Sequence, residues 1–257
     1  MKAIVLAAGY ATRLAPLTDT IAKPLLPVGG RPMVDWICDR IAEVGEIDAV
    51  HVVTNARYAS DLDRWAATRG GVRVHDDRTT SNDDRLGAMG DIQFTIEQAG
   101  LGGDDLLIIA GDNLFEYSVA DYVAFWRRKG VASSVAVHDV GDLQLVSQYG
   151  VVTVDEDDRV VSMVEKPAKP ESTLASTAAY IYHREHVPLV RRYLEEGNPP
   201  DQPGHFIVWL HKREPVYAYR FPGFWLDIGN RDQLVAADNM LRERQGLPVR
   251  ADYSAQS

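Results

Sequence analysis

Short apolar runs and amphipathic stretches take turns along the first half of the chain. Lys2–Leu6, residues 50–53, residues 72–75, Leu106–Ala110 and residues 134–138 read as strands. Residues 32–43, 59–68, 86–99 and 119–129 carry helical spacing between them. In the first of these, Met33, Ile37 and Ile41 stand four apart, behind a proline that suits a helix start. A strand that returns through a helix to a second strand makes the two strands parallel. The alternation therefore predicts an α/β, Rossmann-like three-layer fold with a mostly parallel central sheet. In such sheets ligands bind beyond the carboxyl ends of the strands.

The second half reads differently. Gly150–Val154 and Val160–Glu165 alternate around an acidic turn at 155–158. Residues 177–182, 216–221 and 224–229 are strand-like, while 187–196, ending at Gly197, and 205–213 are helical. Arg231–Arg244 is a closing helix, and the polar tail after Gly246 is expected to be loosely held. With 257 residues, 46% of them hydrophobic, the chain suits one domain, 1–257, with an elaborated second half.

The first apolar run leads into Gly9-Tyr10-Ala11-Thr12-Arg13-Leu14, and Lys23 follows ten residues after Arg13. Small residues let backbone N–H groups approach an anion, Arg13 offers a fork to phosphate oxygens, and Lys23 adds a point charge. A solvated arginine after an ordinary turn is the bland alternative. The segment 22–32, rich in proline and apolar residues, would pin the loop and aim Lys23. This is neither a dinucleotide fingerprint nor a Walker loop. Ala11 and Leu14 stand where the former needs glycines, and no Gly-Lys-Ser/Thr occurs.

A net charge of −10 argues against nucleic acid as partner. It also means that an anion site here must concentrate its cations or recruit a divalent metal. One cysteine, Cys38, excludes an internal disulfide and reads as a buried, inert thiol. No apolar run approaches the length of a membrane span, so a cytoplasmic protein is expected. The seven histidines form no metal-ligating pair, and His183 and His186 are expected at the surface. Nothing supports nucleophilic catalysis.

Asp112 closes an apolar strand, and Asp227 ends another behind Trp225-Leu226. A helix cap or turn would explain either alone. Together, two strand-end carboxylates suit Mg²⁺, which takes oxygen ligands and bridges to phosphates. Glu165-Lys166-Pro167 ends a hairpin strand, with Pro167 fixing the direction of Lys166. A solvated charge pair is the plain alternative. Tyr149-Gly150 marks either a close approach to a ligand or a turn.

The segments Gly9 to Leu14, Pro16-Leu17-Thr18 and Lys23-Pro24-Leu25-Leu26-Pro27-Val28 resemble the sugar-1-phosphate nucleotidyltransferases, of which the glucose-1-phosphate thymidylyl- and uridylyltransferases are best known. Gly111-Asp112-Asn113, Glu165-Lys166-Pro167 and Trp225-Leu226-Asp227-Ile228-Gly229 follow in that family's order, and the likeness spans roughly residues 1–240. It implies the nucleotidyltransferase fold with an inserted β-rich sugar-binding part. Residues 1–130 would be mainly the nucleotide half, 131–229 mainly the sugar-phosphate half, and 230–257 a helix and tail. It implies that Leu6, Ala8, Gly9, Tyr10, Ala11, Thr12 and Gly87 bind the nucleotide, and that Arg13, Lys23 and Lys166 serve catalysis. Asn113, Gly150, Glu165 and Lys166 would meet the sugar phosphate, and Asp112 and Asp227 would hold Mg²⁺. The partners implied are an NTP, with a lean toward pyrimidines, and a sugar-1-phosphate, with no nucleic acid or membrane; a homo-oligomer is compatible. Two departures stand out. Ala11 replaces the family's usual glycine, which requires a negative φ there, and Leu86-Gly87-Ala88-Met89 lacks the glutamine common in thymidylyltransferases.

The implied reaction joins a sugar-1-phosphate to an NTP, giving an NDP-sugar and pyrophosphate. Its nucleophile is a phosphate oxygen already ionised at neutral pH, so no general base is needed. Charge neutralisation and positioning must supply the catalysis. The alternatives are a nucleotidyltransferase for a non-sugar phosphate such as phosphocholine, a non-catalytic nucleotide-sugar sensor, and a metal-dependent glycosyltransferase. The last would need an Asp-x-Asp motif, and Leu114 stands in its place.

Overall fold

A computed structural model describes residues 1–253. Six strands arrive in the first 110 residues: β1 (Lys2–Leu6), the short β2 (Pro27–Val28) and β3 (Arg31–Pro32), β4 (Val50–Thr54) and β5 (Val72–Asp76), then β6 (Leu106–Ala110). Helices α1 (Met33–Ala42), α2 (Ala59–Ala66) and α3 (Gly87–Ala99) connect them. The order β6-β1-β4-β5 is parallel throughout, as the alternation predicts. β1, β4 and β6 have a helix-bearing layer on each side, while β5, at the edge, packs Val72 and Val74 into the α1–α2 layer alone. In β1, Ala3 and Val5 enter the core beneath α1 and α2, while Ile4 enters the core beneath α3. Burial on both faces is why β6 reads as an unbroken apolar run.

The chain then adds β7 (Asn113–Phe115), α4 (Val119–Arg127), β8 (Ser133–Asp139), the one-turn α5 (Leu143–Val146), β9 (Gly150–Val154), β10 (Val160–Glu165) and β11 (Leu174–Tyr182). Strand β11 joins β6 antiparallel and carries β8 and β9 on its other pairings, so the β-rich part grows from the edge of the parallel set. Helices α6 (Leu189–Glu195) and α7 (Pro203–Leu210) cover it, β12 (Val216–Arg220) pairs with β8, and β13 (Trp225–Asp227) pairs with β7. Helix α8 (Arg231–Arg244) starts at Asn230, whose side chain caps the Gln233 N–H at 2.9 Å. It packs Leu234, Ala237 and Leu241 against Leu14, Leu26, Val28 and Met33, closing the loop after β1.

Three expectations are corrected. The tail is not loose as far as it is described: Tyr253 is buried and its hydroxyl donates to the Pro27 carbonyl at 2.7 Å, while residues 254–257 lie outside the described residues. His186 is buried, not superficial; Ser133 Oγ lies 2.9 Å from its Nδ1, and burial lowers its pKa. β2, β3, β7 and α5 are too short to show periodicity and are absent from the sequence reading. Cys38 behaves as expected, its thiol pushed up to about 12 by burial and then by Asp35. Among the described residues no helix is long and apolar enough to cross a membrane.

Candidate active site

The carboxyl ends of β1 and β6 meet directly, for the Gly111 N–H donates to the Leu6 carbonyl at 2.8 Å. A Cβ at Gly111 would sit 2.7 Å from that oxygen, so only glycine allows the approach. Above this junction opens a cleft of about 650 Å³. Every site residue named from the sequence lines it: Leu6, Ala8, Gly9, Tyr10, Ala11, Thr12, Arg13, Lys23, Gly87, Asp112, Asn113, Gly150, Glu165, Lys166 and Asp227.

The loop after β1 is held from behind. Asn55 Nδ2 donates to the Ala8 carbonyl at 2.8 Å, and the Tyr58 hydroxyl to the Thr18 carbonyl at 2.6 Å. The N–H groups of Gly9, Tyr10, Ala11 and Thr12 donate to no acceptor in the described residues. Ala11 has φ 46° and ψ 41°, left-handed, which overturns the expected negative φ. The Leu14 N–H and the Thr18 hydroxyl both donate to its carbonyl and keep it there. The family's glycine position thus retains glycine geometry with an alanine in it. A row of unused N–H groups in such a turn is an anion cradle.

The Arg13 guanidinium lies across Gly229, where a Cβ would be 3.4 Å from Nη2. Lys23, buried in a proline-bounded turn, donates to Asp112 Oδ2 at 2.6 Å. Asp112 Oδ1 accepts from Asn113 Nδ2 at 3.1 Å, and Asn113 Oδ1 accepts from Trp225 Nε1 at 2.6 Å. These two bonds let the Asn113 amide orient Asp112 and Trp225. β13 pairs Asp227 with Asn113, which brings Asp227 beside Asp112. Burial raises the Asp227 pKa, the Asp112 charge adds to it, and Lys23, Arg13 and Lys166 oppose the rise. Two carboxylates that repel each other call for a cation, and hard oxygen donors suit Mg²⁺. Among the described residues no group of three or more His, Cys, Asp or Glu is placed to hold a metal ion.

At the other end, β10 pairs Glu165 with Gly150. The Glu165 carboxyl is packed between two glycines: a Cβ at Gly150 would stand 2.9 Å from its Oε1, and one at Gly204 would overlap it. Burial raises its pKa, with His205 and Lys166 pulling down. Lys166, at φ 46°, turns out of the strand into the cleft. Tyr149 and Trp225 stack edge-to-face with centroids 4.8 Å apart on the same wall.

Sequence reasoning passed over several lining residues. Ser176 and Tyr180 flank a register break in β11, with their hydroxyls 3.2 Å apart. Gln202 and Gly204 come from the start of α7, a region with no pattern to mark it. Asp91 was findable: it falls on the buried face of α3 with Ile92, Thr95 and Ile96, where a carboxylate needs an explanation.

A nucleotidyl transferase family model matches residues 2–244. The chain belongs to the nucleotidyl transferase family. A curated relative, the glucose-1-phosphate adenylyltransferase of Clostridium acetobutylicum, is 31% identical over 269 residues, covering 96% of this chain and 69% of the relative. Two solved structures share the fold of this nucleotidyl transferase. One is a Bacillus anthracis protein described as a glucose-1-phosphate thymidylyltransferase in complex with a sucrose, with TM-score 0.77, 24% identity, and 95% and 96% of the two chains covered. The other is a UDP-glucose pyrophosphorylase complexed with UDP-glucose, with TM-score 0.79, 24% identity, and 95% and 98% covered.

Proposed function

We propose that this nucleotidyl transferase moves a nucleotidyl group from an NTP to a sugar-1-phosphate and releases pyrophosphate. The observation that carries the reading is the convergence of Arg13, Lys23, Lys166, Asp112 and Asp227 on one cleft floored by unused loop N–H groups. Such a site is suited to two polyanions. The loop N–H groups and Arg13 take the triphosphate, and Lys166 and Glu165 face the sugar phosphate. Lys23 and Asp112 form the hinge between them.

In this scheme the sugar phosphate oxygen attacks the α-phosphorus, the bond to the β-phosphate oxygen breaks, and pyrophosphate leaves with the electron pair. The barrier is bringing one anion onto another, and Arg13, Lys23 and Lys166 lower it by neutralising charge in place. Asp112 and Asp227 would hold Mg²⁺, which supplies further charge neutralisation at the reacting phosphates. Glu165, fixed between Gly150 and Gly204, orients the sugar through its hydroxyls.

The test is pyrophosphate release across a matrix of NTPs and sugar-1-phosphates with added Mg²⁺. At least one pair should turn over, and EDTA should stop it. Arg13→Ala and Asp112→Ala should each lower kcat/KM by about 10²-fold or more. Silence across the matrix, or ordinary turnover in either variant, would sink the assignment.

A further inference from the structure

The cleft has an end that the phosphate chemistry does not use. There Asp91 of α3 lines the cleft, and the Asp77 carboxyl, just past β5, stands close enough behind it to add to the rise that burial gives its pKa. Both are 7% exposed. Asp77 Oδ1 accepts the Thr79 N–H at 2.7 Å and the Thr79 hydroxyl at 2.8 Å. Asp77 Oδ2 and Asp91 Oδ1 are both buried and have no hydrogen-bond partner. Two carboxyls bond to each other only when a proton lies between them. A proton shared by these two buried oxygens would satisfy both and would leave the other oxygen of the cleft-lining Asp91, Oδ2, as an acceptor. The Thr79 hydroxyl is also 3.1 Å from that of Tyr10, which ties the pair to the loop after β1.

Charge says which part of a nucleotide belongs here. Among the described residues no ion pair reaches Asp77 or Asp91: Arg85, on the same rim, is taken by Asp201 at 3.1 Å and by the Asn82 carbonyl at 2.6 Å. A phosphate would meet net negative charge, whereas the uncharged base would not. The helix adds donors. The Gly87 and Ala88 N–H groups begin α3 without intrahelical partners and meet no other acceptor, while the Met89 N–H is taken by the Pro200 carbonyl at 2.8 Å. One turn of helix thus offers N–H donors beside a carboxyl acceptor.

We propose that Asp91, backed by Asp77, selects an NTP whose base carries an exocyclic amino group and disfavours the keto bases uracil and thymine. This rests on the nucleotidyltransferase reading of the same cleft. In adenine or cytosine the amino group meets Asp91 and the neighbouring ring nitrogen accepts a helix N–H. Guanine also brings an amino N–H. Uracil and thymine have one N–H between two carbonyls, so pairing it with Asp91 sets a carbonyl oxygen against the acidic pair. Of the pyrimidines toward which the resemblance leans, cytosine fits this reading, and uracil and thymine do not.

Equilibrium binding of ATP, GTP, CTP, UTP and dTTP with Mg²⁺, measured on the full chain, tests this without needing turnover. The wild type should bind at least one amino-base NTP about tenfold or more tighter than UTP and dTTP. Asp91→Ala should erase most of that ratio. Asp91→Asn, which mimics the protonated acid, should retain it. A wild type that prefers UTP or dTTP overturns the proposal whatever the variants do, and so does an Asp91→Ala protein that keeps the ratio. Asp91-dependent base preference without pyrophosphate release from any sugar phosphate would remove the proposed function and leave this inference standing. Failure to bind any NTP would remove both.

Discussion

Ala11 shows how much local strain the loop after β1 tolerates. A left-handed alanine costs about 1–2 kcal/mol relative to ordinary backbone. Five described non-glycine residues have positive φ, and three of them, Ala11, Lys166 and Ala178, line the cleft. Each turns the chain where a regular strand or helix would carry its N–H groups or side chain elsewhere. Ala11→Gly should therefore raise stability by about 1 kcal/mol, read as a higher urea midpoint, because glycine takes this conformation freely. A lower midpoint would mean that the methyl group packs against something worth more than the strain, as its place beside Leu14 and Leu26 allows. That Arg13, Lys23, Asp112, Lys166 and Asp227 meet in one cleft was legible because they stand at strand ends and in the loops that follow. The backbone angle at Ala11 was not, since Leu14 and Thr18 impose it through bonds to a carbonyl.

Among the elements, β6 has a site end and a structural end. At its start Asp105, with no side-chain exposure, accepts from the Arg184 N–H and guanidinium and from Arg127 Nη1. Burial works against its charge, but Arg184 first and then Arg127 hold the carboxyl well below the usual carboxylate range. This ties β6 to the turn after β11 and to α4, across 79 and 22 residues of sequence. Breaking a buried pair costs about 3 kcal/mol, a figure that the half-exposed arginines here make an upper one. Asp105→Ala should thus lower the denaturant midpoint by up to that amount. Turnover of folded protein should stay near wild type, because the cleft lies at the opposite end of the strand. A lost activity in folded protein would show that β6 transmits its position to Gly111. The strand itself was plain from five apolar residues in a row, and its boundaries match. Its anchor was invisible, because nothing in a linear reading joins position 105 to 127 and 184.

Across the whole molecule, buried titrating groups set how stability follows pH. Burial, then the Asp77 charge, raises Asp91 from 3.8 to about 8. Folded protein therefore holds a proton that unfolded chain has already lost, and stability falls as pH rises through that window. Histidines act the other way. Burial lowers His51 to about 4, and it also lowers His75, His138, His186 and His211. Their folded forms bind fewer protons than unfolded chain below about 6.5, so they add stability as pH climbs to that point. Above it they are neutral in both states and drop out. Between pH 6.5 and 8 Asp91 acts alone among the strongly shifted groups, and its share is about 2 kcal/mol at most. The unfolding free energy of the wild type should decline across that interval, and Asp91→Asn should flatten the decline. Urea titrations at pH 6.5, 7.2 and 8 separate the cases: a flat wild-type profile, or an unchanged slope in Asp91→Asn, would mean that Asp77 and Asp91 share no proton. The same proton leaves Asp91 an acceptor toward the cleft, so the pH profile and the base preference stand on one pair of side chains and can be checked against each other.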